Sequence, residues 1–226
     1  MVLMATRTER AERRADALSK ERIVAAAIEI LDADGESALT FRALAARLAT
    51  GSGAIYYHGA GKGELLAAAA DDGIGRVLTG AVRSPEPREA IRALALGVFD
   101  AIDAHPWVGA QLSREPWQPA VLQVFESVGG RLPSLGVPGR AQFDCASALV
   151  NYVLGLAGQY AAADRLLAPE TDRSAFLATV AARWARLDPA RYPFMRQMAA
   201  QLREHDDREQ FLAGIDLILA GITAVR

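Results

Sequence analysis

Apolar positions recur at helical spacing along almost the whole chain. After Ser19, a hydroxyl suited to cap a helix, Ile23, Ala27, Ile30 and Leu31 fall three or four apart and share one predicted face. Gly35 ends that helix. Thr40 caps a second, short helix with Leu44, Ala45 and Leu48 turned inward. A turn at Ala49–Thr50–Gly51 follows, then a third short helix from about Ser52 to His58. The Gly59–Ala60–Gly61 break leads into a fourth helix over about Lys62 to Ala81. Past Ser84–Pro85–Glu86–Pro87 the pattern predicts helices over about 87–104, 107–114, 117–132, 139–166, 172–187 and 207–225, punctuated by Pro and Gly. No β-branched run of convincing length alternates with a period of two, so the expected fold class is all-α.

Composition narrows this further. At 226 residues and 51% hydrophobic, the chain can bury a real core. A single cysteine, Cys145, excludes an internal disulfide. With three histidines beside it, no metal site is expected, and no cofactor. The apolar run at Met1–Met4 is too short for a signal peptide, and the chain reads as cytoplasmic. Cys145 to Ala163 carries no charge and approaches the length of a membrane span, but Ser147, Asn151 and Gln159 interrupt it; a helix buried on several sides of a bundle is expected, and no membrane partner. The net charge of −2 announces no nucleic acid. The local charge says more: Ser37 to Lys62 holds Arg42, Arg47 and Lys62 and no acid, in a chain with 27 acids.

That basic stretch coincides with two short helices joined by a tight turn behind a longer helix, the layout of a helix-turn-helix. In that motif the second helix enters the major groove with its N-terminal residues against base edges. Ser52, Gly53 and Ala54 are small enough for close approach, and Tyr56, Tyr57 and His58 offer hydroxyls and ring N–H groups. Thr40 and Arg42 open the supporting helix, where dipole and side chains favour phosphate, and Lys62 opens the fourth. Thr50 and Gly51 belong to the turn that presents the motif. Arg7, Arg10, Arg13 and Arg14 lie in residues 1–18, read as a flexible arm able to reach phosphates or a minor groove.

Thr40-Phe41-Arg42-Ala43-Leu44-Ala45, Leu48, Ala54-Ile55-Tyr56-Tyr57-His58 and Lys62-Gly63-Glu64-Leu65-Leu66 together resemble the head of TetR-family repressors. The resemblance covers about Ser19 to Ala70. It implies that Tyr56 and Lys62 meet phosphate, that Ser52, Ala54, Tyr57 and His58 lie on the recognition helix, and that Thr40 and Arg42 start the supporting one. Three positions depart from the family pattern. Ala49 stands where the turn usually has glycine, so a left-handed backbone there would be strained; Gly59 replaces a bulky apolar residue and Gly61 a polar one. In the C-terminal half, His105-Pro106-Trp107 and Phe211 to Leu219 look like the tetracycline-repressor branch, more weakly.

Two segments, Cys145–Ala163 and Phe211–Val225, are too apolar for a helix with one wet face. A two-fold four-helix interface between two copies would cover them, with Ala148, Gly155 and Gly158 allowing close approach. The expected architecture is an N-terminal three-helix helix-turn-helix head plus a C-terminal helical bundle forming a two-fold dimer. Its expected divisions are an arm over 1–18, a head over 19–66, and a ligand-binding and dimerisation domain over 67–226. Phe99, Trp107, Trp117, Phe125, Tyr152, Gln159 and Tyr160 are candidate lining for a pocket that takes a small, largely apolar and flat effector; the same residue types also fill cores.

The function expected is a ligand-responsive, sequence-specific DNA-binding repressor acting on a palindromic operator of double-stranded DNA. The alternative is a helical small-molecule-binding or protein-interaction module whose head no longer binds DNA. Enzyme motifs fail on inspection. Gly59-Ala60-Gly61-Lys62-Gly63 lacks the earlier glycine and the hydroxyl of a phosphate loop. The pairs Asp71–Asp72 and Asp206–Asp207 diverge on a helix rather than converge.

Overall fold

The computed structural model describes residues 18–57, 61–81, 84–115, 117–166 and 172–225. Among them are eleven α-helices and no strand: α1 Lys20–Asp34, α2 Phe41–Arg47, α3 Ser52–Tyr57, α4 Lys62–Ala81, α5 Pro87–Ala104, α6 Pro106–Arg114, α7 Pro119–Gly129, α8 Gly139–Leu166, α9 Arg173–Ala185, α10 Pro193–Met198 and α11 Asp207–Thr223. Single 3-10 turns lie at Glu36–Ala38, Pro133–Leu135 and Gln201–Glu204. The chain divides into two units, Met1–Gly73 and Ile74–Arg226, with the boundary inside α4.

The capping signals act as their chemistry requires. Ser19 Oγ accepts the Arg22 N–H at 3.3 Å and Thr40 Oγ1 accepts the Ala43 N–H at 3.1 Å, each satisfying an orphan donor of the first turn. α1 ends at Gly35, whose φ of 75° lies where a side chain is disfavoured. In the first unit α1 buries Ile23, Ala27, Ile30 and Leu31 together with Val24 and Ala26, against Leu44 of α2 and its neighbours. Ile55 is the buried anchor of α3.

In the second unit, proline at the first helical position opens α5, α6 and α7, where its missing N–H costs nothing. The core is apolar throughout, from Ile74, Ile91, Leu94 and Val98 to Leu149, Val150, Phe211, Ile215 and Leu219. α8 is the central helix, packed by α5, α6, α7 and α11. Two buried glutamines satisfy one another: Gln118 Nε2 donates to the Gln111 carbonyl at 2.9 Å, and Gln111 Nε2 donates to Gln118 Oε1 at 3.3 Å. Asp216 of α11 faces Arg88 and Arg92 of α5 at 3.6 and 3.5 Å, and Arg208 reaches Asp100 at 3.2 Å, so ion pairs reinforce the α5–α11 packing. α9, α10 and the turn after it pack mainly on one another, and Arg173 meets Asp207 at 2.6 Å.

Two expectations change. Helix α7 stops at Gly129 rather than 132, because Gly130 closes it and a proline-led turn follows at Pro133. The six-residue α10 and the 3-10 turns are too short to show a hydrophobic period. No described helix is long and apolar enough to cross a membrane.

Candidate nucleic-acid interface and body cavity

The turn between α2 and α3 is built from backbone hydrogen bonds. The Ala49 N–H donates to Ala46 O at 3.3 Å and the Thr50 N–H reaches back to Ala45 O at 3.0 Å, with Ala49 at φ 50°. This is a Schellman closure, whose left-handed position normally falls to glycine. Alanine there pays about 1 kcal/mol of steric strain, so the departure read in the sequence is a physical feature of the turn. The chain then enters α3 through the Ala54 N–H bond to Gly51 O at 3.0 Å.

Ile55 is fully buried, and its neighbours on α3, Ser52, Gly53, Ala54 and Tyr56, are exposed. Tyr56 is 62% exposed, yet its ring stacks on Phe41 of α2 with centroids 4.3 Å apart. The stack holds the ring while leaving the side chain largely in solvent. Thr40, Arg42 and Gly51 are exposed and Thr50 half-buried. Lys62 donates from Nζ to the Glu36 carbonyl at 2.7 Å, which fixes its long side chain beside the 3-10 turn. Arg47, the third cation of the acid-free stretch, pairs with Glu29 at 2.6 Å on the solvent-exposed surface of the head. The Gly61 N–H donates to Glu64 Oε2 at 2.7 Å, a capping contact that begins α4. Sequence reasoning missed Phe41 and Glu36 as the groups that steady Tyr56 and Lys62; the aromatic at the first position of α2 was the available signal. His58, the side chain of Tyr57 and the arm over residues 1–17 lie outside the described residues.

In the body, the candidate lining residues separate. Trp117 and Phe125 border an open cavity of about 650 Å³, a volume usual for small-molecule sites. Val121, Leu122, Glu126 and Gly129 of α7 line it with Phe125, and Gln142, Phe143, Ala146, Ser147, Asn151 and Leu154 of α8 form the other wall. Trp117 and Phe143 stand 81% and 76% exposed, so large apolar rings flank its mouth. Phe99, Trp107, Tyr152 and Gln159 are not among its walls. Phe99 is buried against Phe211 with ring centroids 5.0 Å apart, and Trp107 packs on the core. Tyr152 stacks on Phe211 at 5.7 Å and donates its hydroxyl hydrogen to the Phe211 carbonyl at 3.3 Å; burial raises its pKa, which keeps it a neutral donor. Gln159 is exposed, and the side chain of Tyr160 lies outside the described residues. Sequence reasoning missed Phe143, Ser147 and Asn151 as one wall, although their four-residue spacing puts them on one face of a helix.

Gly158 also changes role. A Cβ there would meet Ser113 Oγ at 3.2 Å, so its small size serves the α6–α8 packing within the chain. Cys145 is buried, and burial first, then the neighbouring Asp144, push its thiol pKa up, which favours the less reactive thiol over the thiolate. No group of three metal-ligating side chains occurs among the described residues.

Comparison with known proteins agrees with this arrangement in both units. The family of bacterial regulatory proteins designated tetR matches residues 23–69, and the tetracyclin repressor-like C-terminal domain matches 84–226. The transcriptional regulator SCO7222, a TetR from Streptomyces coelicolor, is 52% identical and superposes with a TM-score of 0.82 over 92% of this chain and 99% of that one. An HTH-type transcriptional regulator of Saccharopolyspora erythraea is 35% identical over 151 residues, 66% of this chain and 64% of the length of that relative. ActR of Streptomyces coelicolor, solved in complex with actinorhodin, is 26% identical with a TM-score of 0.73 over 92% of this chain and 98% of that one. The chain belongs to the TetR family, the ligand-responsive DNA-binding transcriptional repressors of bacteria.

Proposed function

We propose that this chain represses transcription as a cytoplasmic homodimer, with α3 of each copy in the major groove of a palindromic operator and a small apolar effector in the body that releases it. The observation that carries the reading is the exposure of Ser52, Gly53, Ala54 and Tyr56 around the buried Ile55. A short helix with four exposed positions beside a buried one presents a face that something else can cover. Ser52, Ala54, Tyr57 and His58 read bases; Thr40, Arg42, Tyr56, Lys62 and the arm supply the salt-dependent phosphate attraction. Thr50, Gly51 and Gly53 let the backbone approach.

Two copies meet through α8 and α11. A set of exposed positions on α8, Ala148, Asn151, Gly155 and Gln159, and another on α11, Ala213, Leu217 and Ala220, continued by Ala224 at its C-cap, recur at the spacing of a helix-packing seam. Leu217 is 75% exposed, an apolar side chain that a second copy would cover. Such a dimer sets its two recognition helices roughly 34 Å apart, one turn of duplex. The effector occupies the cavity between α7 and α8; the similar protein ActR has been solved in complex with a small molecule, actinorhodin. The effector acts by preferring the state that cannot bind DNA, with a coupling of about 1–3 kcal/mol. Residues 67–226 thus sense and dimerise while 19–66 bind DNA, and the output is occupancy of DNA rather than turnover.

Footprinting on the DNA upstream of the chain's own gene tests this. Protection that weakens steeply with salt is expected. Its absence at both low and physiological salt leaves the helical module with a silent head as the reading.

A further inference from the structure

Charge sets the cavity apart from the rest of the body. Among the described residues, no lysine, arginine or histidine lines it. Among the described residues its one ionisable wall group is the carboxylate of Glu126 on α7. Arg131, just past α7, donates to the Ser127 carbonyl, and Arg114 of α6 to Gln111 Oε1 at 3.4 Å. Three rings, Trp117, Phe125 and Phe143, present π-faces or edges to the space. Gln142 donates one amide hydrogen to the Val137 carbonyl at 3.1 Å, and the other polar wall groups, Ser147 and Asn151, are uncharged.

These groups discriminate by sign. An anionic ligand would lose hydration against apolar walls, find no cation, and face Glu126. A cation would find a carboxylate at the rim and aromatic faces inside, both of which attract it. We propose that the effector is a planar aromatic molecule bearing a basic nitrogen protonated at neutral pH, with Glu126 as its counter-ion and the rings of Phe125, Phe143 and Trp117 against its plane. This rests on the effector reading above and names the chemical class that the site selects.

The test uses the full chain without DNA, titrated by fluorescence anisotropy with acridine orange as the planar cation and anthracene sulfonate as the planar anion. The cation should bind about tenfold more tightly. Glu126→Gln should weaken the cation about fivefold and leave the anion unchanged or tighter. Glu126→Lys should reverse the preference. Glu126 is exposed, so neither substitution disturbs packing, and helix content by circular dichroism should stay constant. Equal or tighter binding of the anion by the parent chain, or no response of the cation to Glu126→Gln, overturns the charge assignment. If the anion also releases bound DNA in a gel shift, the effector reading survives and its charge class alone falls. Binding of neither probe at millimolar concentration removes both.

Discussion

The head and the body cavity are both functional surfaces, yet they are made in opposite ways. The head assembles its exposed helix from neighbours in sequence: Thr40 caps α2, Ala45 and Ala46 close the turn, and Phe41 steadies Tyr56 fifteen positions away. The cavity joins α7 to α8 with residues up to 37 positions apart, Trp117 to Leu154, and uses side chains of the kinds that fill the core beneath it. A surface built from local spacing is fixed by a short motif, whereas one built from tertiary packing depends on which of several similar aromatics faces outward.

The contrast can be pressed hardest at Ile55, the buried residue of α3. Ile55→Ala should remove about 2–4 kcal/mol from the head and abolish operator binding. Hydrogen exchange should show protection lost before Gly73 and kept beyond Ile74; loss in both units would mean that the two unfold as one. Next in size is the body's tightest contact. A Cβ at Gly214 would stand 2.0 Å from the Tyr152 hydroxyl, so Gly214→Ala should cost about 1–3 kcal/mol. Thermal unfolding should report that loss while DNA affinity well below the transition stays the same.

Smaller effects separate positioning from contact within the head. Lys62→Ala should weaken binding to all sequences about fivefold and reduce the salt slope by about one, measured by gel shift across a salt series. Unchanged affinity would count against its phosphate role. Substitutions at Ser52 should instead change sequence preference. Smallest is Ala49→Gly, which relieves a left-handed alanine and should stabilise the head by about 0.5–1 kcal/mol; denaturant titration of a head-specific signal would show it.

Helices were legible wherever a cap and a long apolar period coincided, as at Ser19 with Ile23 to Leu31 and at Thr40 with Leu44. α10 was not, since six residues hold less than two turns of pattern. In the body, Trp117 and Phe125 could be told from Phe99 and Tyr152 only after folding, because all four are aromatic and only burial against Phe211 distinguishes the last two. Ser147 and Asn151 stood out in the sequence as polar breaks in an apolar run. Their meaning as a wall required α7 to be placed opposite them.

The lone cysteine has a practical consequence. Cys145 is 6% exposed and its thiol pKa is pushed up by burial, so it is a poor target for maleimide or nitroxide reagents. A cysteine introduced at an exposed site such as Ser52 would therefore carry a spin label with little background. Electron-electron distance measurements on such a labelled chain could follow the separation of two recognition helices in solution as candidate molecules are added.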